Sequence, residues 1–336
     1  MARVLLLFCV VFVTIYQSEQ AHFLSREYIN KINSVAKTWT AGINFHPNTH
    51  IDEIKGLLGS YSIGSKKIEL VKSNDPVYSY TNEIPAEFDA RERWQECKSI
   101  GTVRDQGKCG SCWALSTTSA FSDRLCIATD GEFNEILSAE NLAFCCWTCG
   151  FGCNGGFPLQ AWRYFKWRGV VTGGSYNTTE GCQPYRVAPC ITDERGQNTC
   201  DGEEIEKNHK CEKKCYGNTE IDIKKDRRYT RDAYYLTPRA IQHDLMAYGP
   251  IEASFDVYSD FISYKYGVYH KTENATLLGG HSVKLIGWGE EEGTPYWLLM
   301  NSWNEQWGDN GLFKILRGNN ECKIEEHATA GVPYLN

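Results

Sequence analysis

The chain has 336 residues, 42% of them apolar and 23% charged, a balance that suits one large domain or two modest ones and excludes wholesale disorder. Its 42 Asp and Glu exceed its 35 Lys and Arg, and a formal charge of −7 argues against the basic face of a nucleic-acid binder. No apolar run reaches the roughly 18 residues of a bilayer-spanning helix, so no membrane partner is expected.

Arg3, the apolar run Val4–Ile15 and the polar Gln17–Gln20 follow the layout of a secretory signal peptide, assigned to residues 1–20. Cys9 would leave with it, and 14 Cys would remain. At that density an exported chain is expected to carry a disulfide framework. No His pair stands at finger-like spacing from the Cys pairs, so no metal and no other cofactor is expected.

Residues 22–83 contain no Cys, whereas Cys is frequent from Cys97 onward. This change predicts a separately handled pro-segment, 21–83, docked on a main body, 84–336. A helical pattern runs from Tyr28 to Trp39 and is broken by Gly42, Pro47 and the stretch Gly56–Gly64. The acidic excess lies in the body, since the first 83 residues hold eight Lys and Arg against seven Asp and Glu.

In the body, Cys112–Ile127 reads as a helix with Ser111 as its N-cap, and Leu137–Cys145 and Pro158–Trp167 read as two more. The polar stretch from about 170 to 235 is expected to be loops held by bridges. From Gly249 the pattern turns to short β-rich runs: Ile251–Tyr258, Gly267–Tyr269, His281–Trp288, Tyr296–Asn301 and Gly311–Arg317. Helices first and strands later predict an α+β protein of two lobes with its chemistry between them. Nothing suggests an oligomer, and a monomer is expected.

Three islands carry chemistry: the decapeptide Arg104–Trp113 (RDQGKCGSCW), Gly279–Gly289 (GGHSVKLIGWG), and Tyr296–Trp303 with the following Trp307-Gly-Asp. A thiol at Cys112, at a helix start, feels the positive end of the helix dipole, which favours thiolate. Cys112 also fits a half-cystine, because 14 Cys can pair completely or leave two free. The preceding glycines allow a substrate close approach. Gln106 offers an amide N–H that, with the Cys112 N–H, makes an oxyanion hole. His281 opens one apolar run and Asn301 ends another. The Asn301 carbonyl is expected to accept from the imidazole Nδ1–H, with Trp303 covering that bond. Cys, His and Asn then supply nucleophile, base and orienter. Cys109-Gly-Ser-Cys112 also has the C-x-x-C form of a disulfide-exchange enzyme, but Gln106, Trp113 and the distant His and Asn argue against it.

From about Ile84 to Pro333 the chain resembles the papain family of cysteine proteases, and within it the cathepsin B branch. QGKCGSCW, GGHSVKLIGWG and NSWNEQWGDNG carry the resemblance, together with IPAEFDAR at Ile84–Arg91, CNGG at Cys153–Gly156 and WTAGINF at Trp39–Phe45. The resemblance implies a papain-like fold with a helical left lobe, a β-barrel-like right lobe and the active site in the cleft. It implies Cys112 as nucleophile, His281 as general acid and base, Asn301 as orienter and Gln106 as oxyanion donor. It places Gly155, Gly156 and Gly280 against the substrate backbone and Trp303 on the leaving-group side. It also implies six bridges, Cys97–Cys126, Cys109–Cys153, Cys145–Cys211, Cys146–Cys149, Cys182–Cys215 and Cys190–Cys200, with Cys112 and Cys322 free. The implied partners are protein and peptide substrates, the chain's own propeptide and cystatin-type inhibitors. The implied destination is the secretory pathway, lysosomal or secreted.

Two departures stand out. An occluding-loop-like insertion is placed at about 182–215. Where cathepsin B carries two adjacent His in that loop, this chain has Thr192-Asp193. Its anchoring to Asp105 is then in doubt, and an endopeptidase with weak dipeptidyl carboxypeptidase activity is expected. His327 stands where the branch has an acidic residue in the pocket for the residue two before the cut, which predicts Phe, Leu or Val there over Arg. The sequons Asn177-Thr-Thr and Asn274-Ala-Thr are candidate glycosylation sites.

Overall fold

A computed structural model describes residues 22–46, 49–61, 83–193, 198–200 and 202–335; the expected signal peptide lies outside them. Ser25 starts helix α1 (Arg26–Val35) by accepting the Tyr28 N–H at 3.1 Å, and Ile29 and Ile32 form its buried face. The sequence pattern carried this helix to Trp39, but it ends four residues earlier. Asn33 reaches over the turn and bonds both backbone groups of Ala41, at 2.8 and 3.0 Å. That fold-back turns Trp39–Ala41 into strand β1, with Trp39 and Ala41 pointing inward at the two-residue period of a strand. The capped helix α2 (Ile51–Gly56) follows.

The body opens with β2 (Phe88–Asp89) and α3 (Ala90–Arg93). Helix α4 (Cys112–Ala128) runs one residue beyond the sequence expectation and is buried along nearly its whole length. One side of it packs Trp113, Phe121 and Leu125 against Leu142 of α5 (Ala139–Cys145) and Trp162 and Phe165 of α6 (Pro158–Trp167). The other side faces the sheet. There Lys284 meets Asp123 at 2.8 Å, and Arg124 nearby pairs with Asp244. Ser111 sits at the N-cap position of α4 but does not cap with its side chain. Its hydroxyl lies 2.7 Å from that of Tyr185, whose own proton goes to the Gln106 carbonyl.

The stretch 170–235 contains, among its described residues, only the two-residue strands β3 (Tyr229–Thr230) and β4 (Tyr234–Tyr235). Helix α7 (Pro238–Tyr248) follows, and the sequence reading missed it. Its signals were present: Pro238 at the first turn, Gly249 just past the end, and Ala240, Ile241, Asp244 and Leu245 buried on one face.

Strands β5 (Ile251–Tyr258), β6 (Tyr264–Tyr269), β7 (Leu277–Glu291), β8 (Thr294–Met300), β9 (Leu312–Leu316) and β10 (His327–Ala330) build the second lobe, and β11 (Pro333–Tyr334) pairs with β3. The main sheet runs β1-β6-β9-β8-β7-β5-β10-β4, with β2 also on β7. Only the β6–β9 pair among these is parallel. Phe255, Phe261, Tyr264, Trp303, Trp307 and Phe313 fill its core, and Phe23, Ile29, Trp39 and Leu57 of the N-terminal segment belong to the same cluster.

Six disulfides join the same pairs that the resemblance implied, and Cys112 and Cys322 are free and buried. Both sequon asparagines are exposed, Asn177 in the long loop and Asn274 in the turn between β6 and β7.

Candidate active site

Cys112 is the first residue of α4, and His281 lies on β7 opposite Phe255 of β5. Asn301 follows the end of β8, where the Gly311 carbonyl accepts its N–H at 2.9 Å. The Asn301 carbonyl oxygen stands 2.7 Å from His281 Nε2 and also accepts the Ser302 N–H at 2.8 Å. The orienting bond is therefore made at Nε2, not at Nδ1 as the sequence reading had it. Asn301 Oδ1 is held by the Ser302 N–H, and Nε2 is the ring nitrogen that meets it. Nδ1 is left with no protein partner among the described residues. Trp303 stacks on the imidazole, ring centres 4.7 Å apart.

The thiol is covered by the N-terminal segment. The Gly59 N–H donates to Cys112 Sγ at 3.3 Å. Burial pushes the thiol up to about 12, against the lowering pull of the Ser282, Gly59 and Trp113 N–H groups. Burial likewise pushes His281 down to about 4, against its bond to Asn301. In the covered cleft, desolvation opposes the helix-start thiolate expected from the sequence.

Gln106 is fully buried, and its side-chain oxygen accepts from Ser302 Oγ at 2.7 Å. Its Nε2 donates to the Cys109 carbonyl at 2.7 Å and to the Leu57 carbonyl at 2.8 Å. A carbonyl of the N-terminal segment thus occupies the amide donor assigned to the oxyanion. Gly156 donates to the Gly59 carbonyl at 2.8 Å and accepts from Tyr61 at 2.9 Å, which sets Ser60 opposite it. The Gly280 carbonyl accepts the Ser60 N–H at 3.0 Å.

Gly155 behaves differently from the expectation. Its N–H and C=O stay within its own turn, on Gly152 and Phe151, so it does not pair with the segment in the cleft. It has a φ of 95°, and a Cβ would stand 2.6 Å from the Tyr61 ring. Its contribution is clearance, not pairing. Gly59 is under the same constraint from the other side, since a Cβ there would meet the Gly110 carbonyl at 1.8 Å.

Trp303 also meets Phe45 edge-on at 5.7 Å, so the segment covers that end of the cleft too. The Cys190–Cys200 loop is anchored, contrary to the doubt raised by its sequence. Asp105 accepts the Cys190 N–H at 3.0 Å and the Asn304 side chain at 3.1 Å. Gln306 clasps both backbone groups of Thr192 at 2.8 Å. Backbone groups and two amides do what a histidine partner was thought necessary for.

His327 faces Ser254 across β10 and β5 and is half-buried; burial lowers its pKa, and Glu326 lies 3.8 Å away. The sequence reading missed what lies beside it. Glu252 is wholly buried and accepts from Ser254 at 2.5 Å, from Ser282 at 2.7 Å and from Thr329. A carboxylate in the otherwise apolar opening of Ile251–Tyr258 was the available signal. Lys108 was also missed; it pairs with Glu53 of the N-terminal segment at 2.7 Å.

Residues 84–332 match the papain family cysteine protease domain, and residues 24–61 match the propeptide of the same peptidase family. The chain belongs to the papain family of cysteine proteases. A cathepsin B-like cysteine proteinase of Schistosoma japonicum is 38% identical over 96% of this chain and 98% of its own length. Cathepsin B-like cysteine proteinase 6 of Caenorhabditis elegans is 47% identical over 76% of this chain and 68% of its own. Among solved structures, proCathepsin B S9 from Trypanosoma congolense is 34% identical, covers 94% of this chain and 99% of that one, and superposes with a TM-score of 0.80. This papain-family protein is a cathepsin B-like zymogen, and the segment across its cleft is its propeptide.

Proposed function

We propose that the mature protein is an endopeptidase working through Cys112, His281, Asn301 and Gln106. The observation that carries this reading is the way the propeptide lies in the cleft: Leu57 offers a carbonyl to Gln106 while Gly59 crosses the Cys112 sulfur. An inhibitor that borrows the substrate's contacts marks where the substrate's carbonyl would go.

With the propeptide gone, water reaches the cleft and the cost of separating charge falls. Cys112 passes its proton to His281 Nδ1, and the thiolate attacks the scissile carbonyl carbon. The C–S bond forms, and the oxyanion is held by Gln106 Nε2–H and the Cys112 N–H. His281 protonates the leaving amine as the C–N bond breaks. It then takes a proton from water, which attacks the thioester and releases the acid and the thiol. Asn301 and the stacked Trp303 keep the imidazole turned for both steps.

Endopeptidase action is favoured because the clasped loop offers Thr192-Asp193 to the primed side, where the branch has its two adjacent His. Paired peptides, one a free acid and one an amide, test this with the activated protein at pH 5 and Cys112→Ala as control. Equal internal cleavage of both, lost in the variant, is expected. Stepwise dipeptide release from the free acid alone would overturn it. His327 stands where Arg would need an acidic partner, so Phe, Leu or Val is favoured over Arg two residues before the cut. Maturation near Ile84, glycans at Asn177 and Asn274, a lysosomal or secreted destination and sensitivity to cystatin-type inhibitors belong to the same proposal.

A further inference from the structure

The propeptide shows what one pocket of the cleft accepts. Ser60 lies opposite Gly156, at the place of the second residue before the cut, and its side chain goes into the wall of the sheet lobe. There its hydroxyl stands 2.7 Å from that of Ser254. Ser254 in turn donates to the buried Glu252, and so do Ser282 and Thr329. A hydroxyl carries a single proton. With its proton committed to a carboxylate, Ser254 presents only lone pairs to the cleft, and Ser60 must be the donor. Ser282 is in the same position: its proton also goes to Glu252, and its contact at 2.6 Å is with Ser116.

We propose that Ser254, backed by Glu252, is a specificity-determining residue that reads a hydrogen-bond donor on the side chain two residues before the cut, selecting a short hydroxyl over an apolar side chain of the same shape. This rests on the endopeptidase reading and deepens it. The pocket beside His327 discriminates among uncharged side chains by a hydrogen bond and not by size alone. A substrate lacking the donor leaves Ser254 desolvated and unpaired toward the cleft. Failure to supply a donor to a buried acceptor is penalised more heavily than a hydrogen bond is rewarded.

The test uses two peptide pairs that differ only at that residue, Thr against Val and Ser against Ala, with kcat/KM measured on the activated protein at pH 7.5, where Glu252, raised by burial to about 7, is mostly ionised. Active-site titration fixes the enzyme concentration. The hydroxyl member is expected to be favoured by about two- to twelvefold in each pair. In Ser254→Ala the Thr–Val preference is expected to vanish or reverse. Equal rates within both wild-type pairs, or a preference that Ser254→Ala leaves unchanged, would overturn the proposal. The wild-type comparison stands by itself if the variant does not fold. Failure to cleave any of the four peptides at the intended bond would instead count against the endopeptidase reading.

Discussion

The two walls of the cleft are built by different means. On the helical side the contacts come mostly from backbone, the Gly156 N–H and C=O, with the Gln106 amide beside them. The Cys109–Cys153 bridge ties this wall together across 44 residues. On the sheet side the Gly280 carbonyl is joined by side chains in a fixed register: His281 on Asn301, Trp303 on His281, and Ser254 and Ser282 on Glu252. A backbone donor survives any substitution that keeps the fold, whereas a side-chain donor does not. The helical wall therefore offers few residues whose removal affects chemistry alone, and the sheet wall offers many.

The largest effect belongs to the one reactive side chain of the helical wall. Cys112→Ala is expected to lower kcat by about 10⁶ while leaving the fold intact, since the sulfur makes only one hydrogen bond with the propeptide. A zymogen of unchanged thermal stability and no turnover is the expected pair of results. Gln106→Ala comes next, with kcat lower by about 10²–10³ and KM little changed, because the amide is needed when the oxyanion forms. A change in KM alone would mean that Gln106 positions the substrate and does not stabilise the intermediate.

The helical wall was the more legible of the two in the sequence. Cys112 at a helix start, Gln106 before it and the glycines between them could be read from a single stretch, and α4 and α6 were placed to within a residue. The strand positions of β5, β7 and β8 were also readable, because their apolar runs are continuous. What the sequence hid is what depends on register. Which ring nitrogen meets Asn301 depends on how β7 and the turn after β8 are placed against each other. That Glu252, Ser254 and Ser282 meet is decided by the pairing of β5 with β7. Trp39 reads as helical by spacing alone, and only the Asn33–Ala41 clasp makes it a strand. The anchoring of the Cys190–Cys200 loop escaped notice because it uses backbone groups, which have no letter in the sequence.

Glu252 gives the sheet wall a pH dependence of its own. Burial raises it from 4.5 to about 7, against the lowering effect of its three hydroxyl donors. Between those values the folded state binds more protons than the unfolded one, so stability falls as pH rises through this window. The loss is about 3 kcal/mol when Glu252 is fully ionised. Denaturant unfolding of the Cys112→Ala zymogen from pH 4 to pH 8 reads it. Glu252→Gln is expected to remove this fall and to be the more stable form at pH 8. An unchanged slope would assign the pH dependence to other groups.

The propeptide also meets the two walls by different means, and this yields the smallest effect. Against the sheet it is held by Phe23, Ile29 and Trp39, whose burial is indifferent to pH. Against the helical wall it is held by Glu53 on Lys108 at 2.7 Å. Burial raises the Glu53 carboxyl, but its hydrogen bond to Lys108, the His50 N–H and their charges prevail and lower it below 4.5. The stabilisation is therefore present above the ordinary Glu value and is lost as pH falls through the lowered one. Because Glu53 is 30% exposed, solvent screening limits the pair to about 0.5–1 kcal/mol. Glu53→Gln is then expected to speed zymogen activation by about two- to fivefold at pH 6 and to make progressively less difference at acidic values such as pH 3.5 as the pH falls through the lowered Glu53 value. An equal acceleration at both values would show that Glu53 acts through its place in the α2 cap and not through its charge, and the acid sensitivity of the propeptide would then lie with other groups.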